Sequence, residues 1–473
     1  MKGPLSTTLS GHFHAALAIL ALAAGFALPA RGQSPVAWEL MPYRVRAVVA
    51  FDPAAPELTS QARQHLLNGL ESAAAGALGA VWELSVAEAE PSLRLTLLRG
   101  LESLTLDDVP SALLSEVFDK TLLLVVKSDV AGVRIETREV DIATRQLGVV
   151  ESRLVFQFEL LGDEVFAALR AAFEPLARVD KVDGDTVELS IRAGALPSPD
   201  AAPLIAVGKV FQPVVRRTTR KGPQIAAVPW TFLTVKSIKE GRASCRVQTG
   251  LRSPVSGRSG RLDSLAIGVE ASERPTRLEL VSRDKPPKRL SGYEVLSYLP
   301  PEKATTLVGR TDISGGLDLA LDSPAVHMLL VRHGTVILAR LPILPGLSPT
   351  LVAELSDDDP RLEAEGFVTG WQEGFVDLLA RRQVLATQVR AGISAGKLDE
   401  ARKLLDELKY LVQPEQLALD LRMRRQKLAP ADAQTSAHID RLFSDTQEAV
   451  KRFLDVRDVA ELEKEWAAAK AVK

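Results

Sequence analysis

The chain has 473 residues, 46% of them apolar and 25% charged, with a formal net charge of −2. That composition is ordinary for globular domains and excludes a chain disordered along its length, while the length exceeds one ordinary core and implies three or four domains. The near-neutral total hides a partition: 13 basic against 21 acidic residues over 34–179, then 20 basic against 11 acidic over 180–290.

Residues 1–32 read as a signal peptide. Lys2 supplies the positive start, Ala15–Leu28 the apolar stretch, and Ala30-Arg31-Gly32 small residues at −3 and −1. The apolar stretch is short of the roughly 20 residues a membrane span needs. The expected mature protein is therefore exported, periplasmic or extracellular, and does not span the membrane after cleavage. Cys245 is the lone cysteine, so no internal disulfide is available, and it reads as a small buried hydrophobe.

Residues 33–176 predict an α/β domain. Pro42–Asp52 alternates as a strand and is ended by two prolines. A helix capped at Thr59 or Ser60 runs to about Leu78, with Leu66, Leu67 and Leu70 on its inner face. Val81–Val86 is a second strand. Pro91–Leu104 and Pro110–Val117 read as helices. The most regular β-signal follows over Phe118–Phe158: Thr121–Lys127 continuously apolar, Gly132–Val140 alternating, and Val149–Phe158, with Gly132 and Gly148 at the turns. Arg134, Arg138 and Glu139 on this sheet read as solvent-facing or interdomain charges. Asp163–Leu176 closes the unit as a helix.

Residues 177–274 change character. Short strand-sized segments recur, Asp183-Gly184 marks a hairpin, and no long helix is visible, so a small β-barrel or sandwich is expected. Residues 275–347 are again strand-rich and predict a second small β-sandwich. Pro342–Pro349 reads as a linker. Asp357-Asp358-Asp359-Pro360 then opens a helical domain over 348–473, the acids read as solvated helix caps. The fold class is thus multidomain α+β: a sheet-and-helix domain, two all-β domains and a helical domain.

Four stretches resemble known families. Arg138-Glu139-Val140-Asp141 with Thr144-Arg145-Gln146-Leu147-Gly148 resembles a phrase in bacterial envelope modules. These are the amino-terminal domain of the translocation protein TolB, lipoprotein activators of penicillin-binding proteins, and the middle domain of flagellar assembly protein T. The resemblance implies a helix-covered sheet used for protein contact. Here three residues precede the Gly, which lengthens the turn. Val182–Leu189 with Val207–Phe211 resembles the β-domain that follows such a module in flagellar assembly protein T. Gly309–Leu319 (GRTDISGGLDL) resembles the hairpin of carboxypeptidase-regulatory-like sandwiches, which implies an accessory β-domain in a secreted protein. Ala395–Ala401 resembles a tetratricopeptide turn, but no 34-residue repeat returns.

No nucleophile elbow, phosphate loop or dinucleotide fingerprint occurs, so no catalytic, metal or cofactor residue is assigned. His327 and His333 lack an acidic or thiol neighbour in sequence and read as structural. Ser282-Arg-Asp-Lys285 ends a strand rather than opening a helix. The basic run Arg216, Arg217, Arg220, Lys221 at a hairpin tip is the one binding candidate, for an anionic polymer, a lipid head group or an acidic partner. Nucleic acid is not expected for an exported chain. The expected function is an exported, non-catalytic scaffold or adaptor of the cell envelope, with a protein partner and self-association through the helical domain. The alternative is a secreted hydrolase, or a cell-wall or carbohydrate-binding protein, with carboxylates such as Asp52, Asp119 or Asp141 converging in a pocket of residues 42–176.

Overall fold

The computed structural model describes residues 37–471 except 198–202, 221, 252–254, 256–261, 412, 431 and 455–456. The expected signal peptide and Lys221 lie outside the described residues. Sheets and helices occur together, in several sheets with a helical C-terminal region. By compactness the chain divides into two units. One runs to residue 178 and adds Glu188–Ala206 and Ser237–Ala243; the other holds Val179–Val187, Val207–Lys236 and Ser244–Lys473.

The first sheet has the order β2-β1-β3-β4-β5, with β6 also on β4. Its strands are β1 (Tyr43–Phe51), β2 (Trp82–Glu88), β3 (Lys120–Asp129), β4 (Gly132–Asp141), β5 (Gln146–Leu147) and β6 (Glu151–Val155). β1 runs parallel to β2 and β3, and β4 antiparallel to β3 and β6. Three helices cover it: α1 (Ser60–Leu78), α2 (Pro91–Leu98) and α3 (Leu161–Ala172). α1 starts where Thr59 accepts the Ala62 amide, the cap its sequence called for. α1 packs along β2, and α3 along β4 and β6. α2 helps close a separate core of Val48, Ala50, Leu93, Leu97, Leu123, Val125 and Ile142. Each leucine fully buried there contributes about 2 kcal/mol.

Three expected elements in this unit are shorter. The helix from Pro91 stops at Leu98, where the chain turns through Gly100 at φ 132°, a conformation open to glycine. Pro110–Val117 yields only a 3₁₀ turn at Ser111–Leu114. The helix ending at Leu176 stops at Ala172, because Leu176 already belongs to the next strand.

The seven-stranded sheet comprises β7 (Leu176–Asp183), β8 (Thr186–Ile191), β9 (Val210–Thr219), β10 (Gly222–Ala227), β11 (Thr231–Lys239), β12 (Arg242–Thr249) and β13 (Leu262–Val269). Its order, β10-β9-β11-β12-β8-β7-β13, closes through a β9–β13 pairing. Six strands therefore form a ring, and β10 extends from β9 as a hairpin arm. β9 serves both neighbours because Val210–Arg217 faces β13 while only Val210 and Phe211 face β11.

Two small sheets follow. β17 (Gly316–Leu319), β14 (Thr276–Ser282) and β20 (Thr350–Leu355) form one; β16 (Thr306–Arg310), β15 (Glu294–Tyr298), β18 (His327–His333) and β19 (Val336–Ile343) form the other. They share a core that includes Leu278, Leu280, Tyr293, Val295, Leu329, Val331 and Ile343. β20 begins just past the expected linker and runs parallel to β14. The Asp312 carboxylate organises the Gly309–Leu319 hairpin: it accepts the Ser314 and Gly316 amides and the Ser314 hydroxyl. These bonds, with Arg277, hold its pKa well below the usual carboxylate range.

The C-terminal helices are α4 (Asp359–Ser394), α5 (Leu398–Tyr410), α6 (Pro414–Lys427), α7 (Ala433–Phe453) and α8 (Arg457–Ala471). Their apolar faces close two cores, one around Val368, Phe375, Leu421, Ile439 and Phe443, the other around Leu385, Val389, Leu405 and Leu462.

Candidate functional site

Sheet register decides first which carboxylates can meet. Asp119 lies level with Arg44 at the start of β1, since Lys120 pairs with Val45. Asp52 follows the other end of β1. Eight residues at about 3.3 Å each separate the two levels by roughly 26 Å. Asp52 therefore does not converge with Asp119 or Asp141, against the expectation of the hydrolase reading. Its side chain accepts the Ala54 amide at the turn instead.

Asp119 and Asp141 are engaged in packing. Asp119 accepts from the Arg44 guanidinium at 2.9 and 3.1 Å and from Arg192 at 2.6 Å. Asp141 meets Lys120 Nζ at 2.7 Å, and its other oxygen accepts the Thr144 amide and hydroxyl. Lys120 also meets Glu139 at 2.6 Å and donates to the Glu174 carbonyl at 2.5 Å. Glu139 in turn accepts the Glu174 amide.

Lys120 and Asp141 are 0% exposed and Glu139 is 1% exposed. Glu139 is thus not the solvent-facing or interdomain charge expected of it: it shares the buried side of β4 with Val133, Ile135 and Thr137. Burial pushes its pKa up to about 7, and the Asp141 charge adds to this while Lys120 opposes it. Burial alone would pull Lys120 down, but Asp141 and Glu139 hold it above its ordinary value. The nearby Tyr43 hydroxyl donates to the Leu176 carbonyl and accepts the Leu176 amide, and burial raises its pKa. The cluster ties β3 and β4 to the start of β7, and its polar atoms face protein rather than a cavity. Arg134 pairs with Asp129, and Arg138 donates to the carbonyls of Leu101, Leu104 and Gly148. Both serve loop and turn geometry.

The acidic triplet is likewise more buried than a solvated cap. Asp357 and Asp358 are buried. Asp358 accepts from Nε and Nη2 of Arg361 at 2.8 and 2.6 Å and meets His333 at 3.2 Å, while its amide donates to the Tyr293 hydroxyl. Lys288 bridges Asp357 and Asp359. His333 stacks on Tyr293 with ring centroids 4.0 Å apart. These bonds join the start of α4 to the sandwich. His327 is buried and bonded to Ser297 and the Ser323 carbonyl, and burial lowers its pKa. A bulge between Val331 and Arg332 breaks the register between the two histidines. Ser282 accepts the Lys288 amide as a turn residue. Cys245 is buried, which pushes its thiol up to about 12.

Of the basic run, Arg216, Arg217 and Arg220 are among the described residues. Arg216 and Arg217 are consecutive on β9 and so point to opposite faces. Arg216 is partly buried and stands opposite Asp263; Arg217 is exposed, opposite Gln224 and Leu262. Arg220 is exposed at the turn.

A surface feature outside the sequence expectations is a groove of about 610 Å³ in the first unit, between α1 and α3. Leu66, Leu70 and Leu161 floor it, and His65, Phe158, Glu159 and Asp163 stand at its sides. Phe158 in its lining is 38% exposed, and Phe156 and Leu160, two residues to either side in sequence, are 73% and 46% exposed. Apolar surface gathered in one place marks contact sites, whereas single exposed apolar residues are ordinary. The sequence carried a hint of it: Phe156, Phe158 and Leu160 continue the alternation of β6 after the strand itself has ended.

No family model and no curated protein matches the chain. Among solved structures it is similar to a PelC dodecamer from Paraburkholderia phytofirmans, at 13% identity over 29% of this chain and 91% of that one, TM-score 0.16. It is also similar to TolB from Acinetobacter baumannii (11% identity, 64% and 94% covered, TM-score 0.17). A third is the Bacillus anthracis TIE protein (8% identity, 44% and 45% covered, TM-score 0.14).

Proposed function

We propose that this chain is an exported, non-catalytic scaffold or adaptor of the cell envelope that works through protein contacts, with the α1–α3 face of its first unit as the contact surface. The observation that carries this reading is an apolar-floored groove lined by the exposed Phe158, with exposed Phe156 and Leu160 two residues to either side in sequence. Leaving such side chains in water costs free energy that burial against a partner would recover. The export part rests on the signal-peptide pattern of residues 1–32.

The test takes the mature chain, beginning at residue 33, and its Phe156→Ser/Phe158→Ser variant through size-exclusion chromatography and pull-down from envelope extract. A defined complex or oligomer that the variant loses supports the reading. A monomer that turns over an envelope substrate, with both variants equal, refutes it. A periplasm-dependent phosphatase fused behind residues 1–40 checks export separately; an inactive fusion removes that part.

A further inference from the structure

We infer that the α1–α3 groove receives an amphipathic helix of a partner protein, with lysine or arginine flanking its apolar face. This rests on the contact-protein reading above and names the partner's chemistry. The furrow lies between two helices, on the layer covering the sheet. A helix seats in such a furrow by side-chain complementarity alone.

The surface suits close helix approach. Gly69 and Ala73 stand one turn apart on α1 and both line the groove. A Cβ added at Gly69 would meet nothing within 4 Å, and one at Gly162 only the Leu66 methyl at 3.9 Å. The space above the small residues is therefore open, and ridges of an incoming helix can seat in it. Phe158 offers an apolar wall.

Charge selects the occupant's sign. Glu159 and Asp163 are exposed one turn apart along one side, and neither is in an ion pair among the described residues. The surrounding segment 34–179 carries 21 acidic against 13 basic residues. An anionic helix would be repelled there, and a cationic one steered in. A second copy of this chain, whose α6 leaves Leu419 54% and Met423 51% exposed among its arginines, is the competing occupant that the crosslinks distinguish. The apolar faces of α5 and α7, through Leu405, Leu408, Ile439 and Phe443, are already spent on their own cores.

The experiment places a photo-crosslinking phenylalanine analogue at Ala73, at Phe158, and for comparison at Val130 and Val376, in the full chain in its native cells. Crosslinked peptides are sequenced. The inference expects Ala73 and Phe158 to capture one segment with apolar residues at helical spacing and net positive charge. That segment, synthesised, should bind the purified chain and lose at least about tenfold in affinity with either Ala73→Trp or Asp163→Lys. Circular dichroism of each variant checks the fold. An acidic or non-helical segment, a peptide of this same chain, or binding indifferent to both variants overturns the inference. An acidic or non-helical segment captured at Ala73 and Phe158 leaves the contact-protein reading standing, whereas adducts from Val130 or Val376 alone would also remove the α1–α3 face as the contact surface. No adduct from any position would remove both.

Discussion

Replacing Lys120 by Met probes the buried charge cluster most sharply. The substitution keeps a long apolar stem in the same space and removes the ammonium. Glu139 and Asp141 then remain at 1% and 0% exposure without their cation, and the Glu174 carbonyl loses its donor. Removing one partner of a buried ion pair costs about 3–5 kcal/mol, because the other charge stays desolvated. Glu139 softens this by taking up a proton, since burial already lifts its pKa to about 7. A loss near the lower end, about 3 kcal/mol, is expected. With a urea slope of about 2 kcal/mol per M, the midpoint falls by about 1.5 M. Hydrogen exchange of the β3 and β4 amides against urea reads this unit without the rest of the chain. Adding Glu139→Gln should recover part of the loss, with a coupling of about 1–3 kcal/mol. A single-variant shift under about 0.3 M, or strict additivity, would refute the cluster's role.

Further outcomes follow from the same geometry. Because the folded pKa of Glu139 lies above its ordinary value of 4.5, the folded state holds more protons between about pH 4.5 and 7. That contribution to stability is present at the acid end and lost as pH rises through about 7; Glu139→Gln should flatten the slope, and an unchanged slope in urea titrations from pH 5 to 7.5 would contradict it. Arg361→Met strands the buried Asp358 and should cost about 3 kcal/mol, read as faster exchange at the start of α4 with β3 and β4 unaffected. Cys245 should ignore a disulfide reagent in the native chain and react once unfolded in urea, because the thiolate is the reactive form; native labelling within minutes would contradict its burial.

Periodicity made much of the secondary structure legible. Alternation over Gly132–Val140 marked β4, and the apolar run after Lys120 marked β3. The charges were read less well, because alternation tells which residues share a face but not whether that face is wet. Glu139 sat in phase with Val133 and Ile135, yet its charge argued for solvent. Its partner Lys120 lies 19 residues away on another strand, a pairing no local pattern exposes. The Asp triplet misled in the same way: a helix cap and a buried clasp share one composition, and Lys288 and His333 arriving from the sandwich distinguish them, with Arg361 joining from the same helix turn. The groove was hidden because neither Gly69 nor Asp163 is unusual by itself. It exists only where α1 and α3 lie side by side.

Protein contact through the α1–α3 face is the central claim, and mass photometry of the chain purified gently from its own envelope tests it most directly. The full chain is 51.1 kDa. The account predicts a discrete species heavier than one processed chain that collapses to the monomer on Phe158→Asp, with the circular dichroism spectrum unchanged. A monomer before and after the substitution, or a complex that survives it, would contradict the claim.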